Sequence, residues 1–188
     1  MQKFKSQQIL KLASQLKKQI KGNVIDIFVI GSSLKDKLEP RDLDLIVFFK
    51  EKNLKEVEEE LYAIKESLNI ANLHIEPIFA SSLFEEKITL SIMHEGFSIK
   101  KSAFISDTFN LKSYSIFSYS LENQSKINKV RFAQTLYGRK KDGILYTESG
   151  ISLGHGSFMA PALKEEIFKE LMKKWKVKYN LKRAFVND

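Results

Sequence analysis

The stretch that most limits what this chain can fold into is "VIGSSLKDKLEPRDLDLIVFF", residues 29–49. An apolar run ends at Ile30 and gives way to Gly31-Ser32-Ser33. A charged loop follows, and a second apolar run opens with Asp42-Leu43-Asp44. Short apolar runs bounded by turn residues and rich in β-branched and aromatic side chains read as buried strands. Alternate side chains of a strand share a face, so Asp42 and Asp44 are expected on one side, Leu43 and Leu45 on the other. Carboxylates so close repel each other by about 1 kcal/mol or more. A divalent cation would reverse that sign, since Mg²⁺ is commonly held by one or two carboxylates together with substrate phosphates.

The Gly-Ser turn fits the other half of such a site. Glycine lets backbone approach a ligand closely, and exposed N–H groups with a serine hydroxyl can bind phosphate oxygens. A phosphate cradle beside paired carboxylates suits metal-assisted nucleotidyl transfer. A third acid comes from "LHIEPIFA", a strand expected over residues 73–80, where Glu76 sits among apolar neighbours. An acid so placed costs free energy unless it is paired or metal-bound. His74 falls on the same face as Glu76 and is expected to be a partly buried structural histidine. Lys35, Lys37 and Arg41 are expected in a solvated loop.

Ile30-Gly31-Ser32, a nine-residue gap and Asp42-Leu43-Asp44-Leu45 together resemble the signature of the DNA polymerase β-like nucleotidyltransferase superfamily. The resemblance covers roughly residues 5–105, from the first helix to "IMHEGFSI". It implies an α/β (α+β) core, a short mixed sheet with flanking helices. It further implies that Asp42 and Asp44 hold two Mg²⁺ ions, replaceable by Mn²⁺, and that Glu76 takes the third acidic place. Gly31, Ser32 and Ser33 would hold the triphosphate of an NTP, ATP foremost, with pyrophosphate leaving. Glutamate at the third place departs from the family's commoner aspartate.

Around this motif, Ile9, Ala13, Leu16 and Ile20 predict an amphipathic helix over residues 6–21. Asn53 and Glu56 read as a capping box that opens a helix with Leu54, Val57, Leu61, Ile64 and Leu68 on one face. A further helix is expected over residues 82–93, closed by Gly96, and an extended segment over 97–105. Pro77 points to an edge strand or a bulge.

The charge changes character beyond residue 105. Residues 1–105 carry 16 Lys+Arg against 15 Asp+Glu; residues 106–188 carry 15 against 8. A catalytic domain over 1–105 and a small basic α+β extension over 106–188 are the expected division. In the extension, "YSIFSYSL" alternates as a strand, residues 125–137 suit a basic helix, and Pro161 starts a helix reaching Trp175. "KVKYNLKRAFV" alternates again and would place Lys176, Lys178 and Lys182 on one cationic face, suited to a polyanionic acceptor such as RNA. Tyr114, Phe117 and Tyr119 are expected mainly in the core rather than as base-stacking residues, and Gly154-His155-Gly156 as a tight hairpin turn.

The expected function is transfer of NMP from an NTP to an acceptor hydroxyl, with RNA the first candidate acceptor. Two alternatives stay open: a small-molecule or protein nucleotidylyltransferase of the antibiotic-modifying or antitoxin type, and a nucleic-acid-binding protein with a regulatory nucleotide site. The chain has no cysteine, which excludes disulfides and thiolate metal sites. It has no apolar run of about 18 residues, so no membrane span is expected, and its charged N-terminal stretch is unlike a signal peptide. A cytoplasmic location follows as an expectation, with oligomeric state left open.

Overall fold

The structure, a computed structural model, describes residues 7–34, 42–70 and 72–187, with backbone alone for 7–11, 32 and 33. The chain divides into two compact units, residues 1–109 and 110–188.

In the first unit, helix α1 (Gln7–Lys17) leads through a turn at Gly22 into β1 (Val24–Ile30). β2 (Leu43–Phe49) returns antiparallel to β1. Helix α2 (Leu54–Leu68) then crosses over to β3 (Leu73–Phe79), parallel to β2. Helix α3 (Ile88–Glu95), the short hairpin of β4 (Phe97–Ser98) and β5 (Ala103–Phe104), and a single turn α4 (Ile105–Thr108) complete the unit. The sheet order is β3-β2-β1-β4-β5, so a mixed five-stranded sheet flanked by helices is formed, as expected for this class.

β1 and β2 are buried on both faces, which is why they read as near-continuous apolar runs. On one face Phe28, Ile46 and Ile78 form a core with Ile92 of α3. On the other, Ile27, Val29, Leu45, Val47 and Phe49 are buried. Pro77 falls on β3, an edge strand, where a missing backbone donor is tolerated.

Three expectations are corrected here. α1 ends at Lys17 rather than residue 21, and the chain passes into turns before Gly22. Asn53 is the extended N-cap of α2, but its side chain makes no capping bond, and Leu54 is 64% exposed. The helix expected from residue 82 starts at Ile88. Ala80–Ser82 instead forms a 3-10 turn, and Thr89 Oγ1 donates to the Leu83 carbonyl. Gly96 closes α3 as expected, its N–H bonded to Ile92 O at 2.8 Å.

The second unit opens with β6 (Leu111–Ser120) and α5 (Lys126–Tyr137), whose N-cap Ser125 accepts from the Asn128 N–H. A one-turn helix α6 (Ile144–Thr147) precedes the hairpin of β7 (Ile151–Gly154) and β8 (Ser157–Pro161). Helix α7 (Glu165–Lys174) and strand β9 (Lys178–Asn187) follow. The four strands form an antiparallel sheet in the order β7-β8-β6-β9. Phe117, Phe158 and Ala160 of the sheet share one core with Phe132, Leu136 and Leu145 of α5 and α6 and with Phe168, Leu171 and Met172 of α7. Pro161 ends β8 instead of starting a helix, and a 3-10 turn separates it from α7. Among the described residues no helix is long and apolar enough to cross a membrane.

Candidate active site

The antiparallel register of β1 and β2 sets Ile30 opposite Asp44. Gly31, the next residue, turns the chain with φ +78° into a 3-10 turn over Gly31–Leu34. The turn lies against the Asp44 carboxylate: a β-carbon built on Gly31 would stand 2.7 Å from Asp44 Oδ2. Glycine is favoured here twice, by the positive φ and by the closeness of the Asp44 carboxylate. The expected juxtaposition of a Gly-Ser turn and a carboxylate is thus physical contact. The side chains of Ser32 and Ser33 lie outside the described atoms, as do Lys35, Lys37 and Arg41.

Asp44 is on β2 and partly open, its side chain 36% exposed. Asp42 stands one residue ahead of β2 and is exposed, so only one of the two aspartates is part of the ladder. The parallel pairing with β3 sets His74 beside Asp44, with Nδ1 3.9 Å from Oδ1. His74 is 72% exposed, not the partly buried structural residue expected from the sequence. An ion pair so exposed contributes little to stability, at most about 1 kcal/mol even with a protonated ring.

Glu76 pairs in register with Ile46, two residues further along β3 than His74. By strand alternation Asp44, His74 and Glu76 share a face. Strand spacing and rise put the Asp44 and Glu76 backbones roughly 8 Å apart. Glu76 is exposed, which removes the cost that an enclosed carboxylate would carry. Among the described residues no three His, Asp or Glu side chains form a group that could hold a metal, so Glu76 does not join Asp42 and Asp44 in a preformed triad.

A fourth carboxylate, Asp26 in β1, escaped the sequence reading. It is buried at the bulge in the β1–β2 pairing. Its Oδ1 accepts from the N–H groups of Ile27 at 2.7 Å and Lys100 at 3.0 Å, and its Oδ2 accepts from Ser98 Oγ at 2.5 Å. Every contact is internal, so Asp26 fastens β1 to the β4–β5 hairpin. Asp26 carries the same signal as Glu76, an acid within an apolar strand, but two of its three partners, Ser98 and Lys100, lie more than 70 positions away and no local pattern names them.

In the second unit, Lys178 and Lys182 lie on β9 and are exposed, with Asn180 between them. Lys176 does not join them. It sits before the strand in a left-handed turn, φ +53°. Phe117 is fully buried, and Tyr119 packs on Phe132 and Phe158 and shares a 2.9 Å hydrogen bond with Tyr137. These two are core residues, and only Tyr114 takes the other side of β6. Gly154 and Gly156 take positive φ in the β7–β8 hairpin, around an exposed His155.

The geometry can present a carboxylate and a close-approach backbone turn to one ligand, at the end of β1 and the beginning of β2. Compared with known proteins, the chain matches no family model, no curated protein and no solved structure.

Proposed function

We propose that the first unit is a metal-dependent nucleotidyltransferase that moves a nucleoside monophosphate from an NTP to an acceptor hydroxyl, releasing pyrophosphate. The observation that supports it most is the contact between Gly31 and Asp44, which brings a bare backbone turn against a carboxylate with solvent access. The donor set fits a hard divalent cation: Asp42 and Asp44 supply carboxylate oxygens, and Mg²⁺ commonly needs no more than two of these beside substrate phosphates. When bound, Mg²⁺ would neutralise charge developing on the transferred and leaving phosphates.

The chain's own residues do the rest. Backbone N–H groups of the turn after Gly31, with Ser32 and Ser33, would hold the β- and γ-phosphates and fix the α-phosphate near Asp44. Asp42, exposed one residue ahead of β2, would face the same phosphates from the solvent side. Glu76, on the Asp44 face of the sheet, would accept the proton of the attacking hydroxyl.

A second reading, a nucleotide site without transfer, is favoured by the place of Glu76 apart from the two aspartates. Incubation with each α-labelled NTP, Mg²⁺ and cellular RNA or protein separates the two. Transfer predicts label in a macromolecular fraction, lost by several orders of magnitude in Asp42→Asn and in Asp44→Asn. Nucleotide binding with no label transferred by the wild type would establish the second reading. Label in protein, or only in small molecules, would move the acceptor to the alternatives weighed above.

A further inference from the structure

We infer that the open face of the second unit's sheet is a binding platform for a single-stranded nucleic acid. All of the chain's net charge lies in this unit: residues 1–109 hold 16 cationic and 16 acidic residues, residues 110–188 hold 15 and 7. The helices pack on one side of the sheet, around Phe117, Phe158 and Phe168. The other side carries the even-numbered residues of β6 and β9, with Ser157, Met159 and Pro161 of β8 and Ile151 of β7 beside them.

The pairing fixes what stands there. Lys178, Asn180 and Lys182 of β9 lie beside Ser120, Ser118 and Ile116 of β6. Of these, all but Ile116 are exposed. Tyr114 is next along β6, half-buried, between Ala184 and Pro161. No Asp or Glu occupies any strand position on this side. The unit's acids are elsewhere, and Glu165 is bound under the opposite face to Ser115 and Arg183.

Charge complementarity names the occupant. The two lysines are separated by one same-face residue pair along an edge strand, about 13 Å by strand rise, a spacing that reaches alternate phosphates of an extended strand. Hydroxyls and an amide lie between them as hydrogen-bond partners, and one aromatic ring offers a stacking surface. Cations tracking a backbone beside an aromatic are the general means of holding single strands. The rival account is that lysines on an edge strand merely prevent sheet-to-sheet association. That the bound strand is also the transfer acceptor rests on the function proposed above; the binding itself does not.

The test is fluorescence anisotropy of a labelled single-stranded RNA of about twelve nucleotides with the full chain, without NTP or divalent ion, across a KCl titration. Lys178→Gln/Lys182→Gln should make the slope of log affinity against log salt shallower by roughly 1.4, at ~0.7 per phosphate contact. Lys126→Gln/Lys129→Gln removes the same charge from α5, on the helical side, and should leave the slope nearly unchanged. Tyr114→Leu should weaken binding roughly tenfold at constant slope. Equal slope changes in both double variants, or none in either, would overturn the inference, because the charge would then act without location. Unchanged binding by Tyr114→Leu would also overturn it, leaving a general anion surface. Because no nucleotide is present, RNA binding that survives in a protein unable to transfer counts against the transferase alone.

Discussion

Gly31 and Asp44 are in contact across the β1–β2 pair, with no room for a β-carbon between the turn and the carboxylate. The obstacle is the tip of a flexible side chain, so Gly31→Ala can be accommodated by moving Asp44 Oδ2. The positive φ adds roughly 1–2 kcal/mol of backbone strain. The expected result is a folded variant with a slightly lower melting temperature and transfer reduced at least a hundredfold, on the order of a misplaced catalytic group. A thermal melt and a transfer assay together check it. Transfer at the wild-type rate would show that the place of the Asp44 carboxylate is immaterial.

Glu76 gives a sharper discrimination between transfer and idle nucleotide binding. It is exposed, so Glu76→Gln removes no buried contact and should leave the melting temperature unchanged. If it takes the acceptor's proton, kcat falls by roughly 10²–10⁴ while NTP affinity holds. Equal loss of kcat and of NTP affinity would place Glu76 at the nucleotide instead.

How much of this could be seen in the sequence differs by element. β1 and β2 were legible because each is a short, mostly apolar run between turn residues, whereas in β3 His74, Glu76 and Pro77 interrupt the apolar residues. The Gly31–Asp44 contact was legible as a spacing, since a hairpin-like return from Ile30 must bring the start of the next strand alongside. The neighbour of Asp44 was not. His74 arrives there through a parallel register set after a whole crossover helix, and no local pattern encodes that register. Residues 80–87 misled because serines at 81 and 82 look like a helix start, whereas the chain spends them in a 3-10 turn before Ile88.

In the second unit, period-two alternation separates Tyr114 from Phe117 and Tyr119 without further information. It fails at Lys176, where the alternating pattern continues through a residue that is turning. A left-handed φ at a lysine leaves no trace in hydropathy.

Asp26 yields a prediction about stability rather than chemistry. Its carboxylate satisfies two backbone N–H groups and the Ser98 hydroxyl inside the first unit. Asp26→Ala strands all three donors, at about 1–3 kcal/mol for each buried group left unpaired. The expected outcome is a loss of several kcal/mol in chemical denaturation. Ser98→Ala takes that partner from Asp26 Oδ2 and from the Lys101 N–H, which donates to Ser98 Oγ at 3.0 Å, but keeps both hydrogen bonds to Asp26 Oδ1, and should cost less. Comparable losses in the two variants would contradict the central place given to the carboxylate.

Glu165, at the first position of α7, supplies the last prediction, on pH. It is 1% exposed, and its carboxylate meets Lys169 Nζ at 2.6 Å, Arg183 Nε at 3.4 Å and the Ser115 hydroxyl. Burial alone would push its carboxyl up. The Lys169 and Ser115 hydrogen bonds and the Arg183 charge outweigh that and hold it at about 2, below the ordinary 4.5. The folded state therefore resists protonation more than the unfolded chain does. The stabilisation is complete above pH 4.5 and is lost as pH falls toward 2, an amount of about 3 kcal/mol. Trp175, the only tryptophan, packs on Phe132 of the same unit and reports its unfolding. Denaturation followed by its fluorescence should show stability level near neutrality and declining between about pH 5 and 2. Glu165→Gln keeps the shape and removes the titration. Its stability should be lower at pH 7, because Lys169 and Arg183 lose their common partner, and its decline through the acid range shallower by about 3 kcal/mol. Parallel pH profiles for the two proteins would mean that Glu165 does not govern the acid limb.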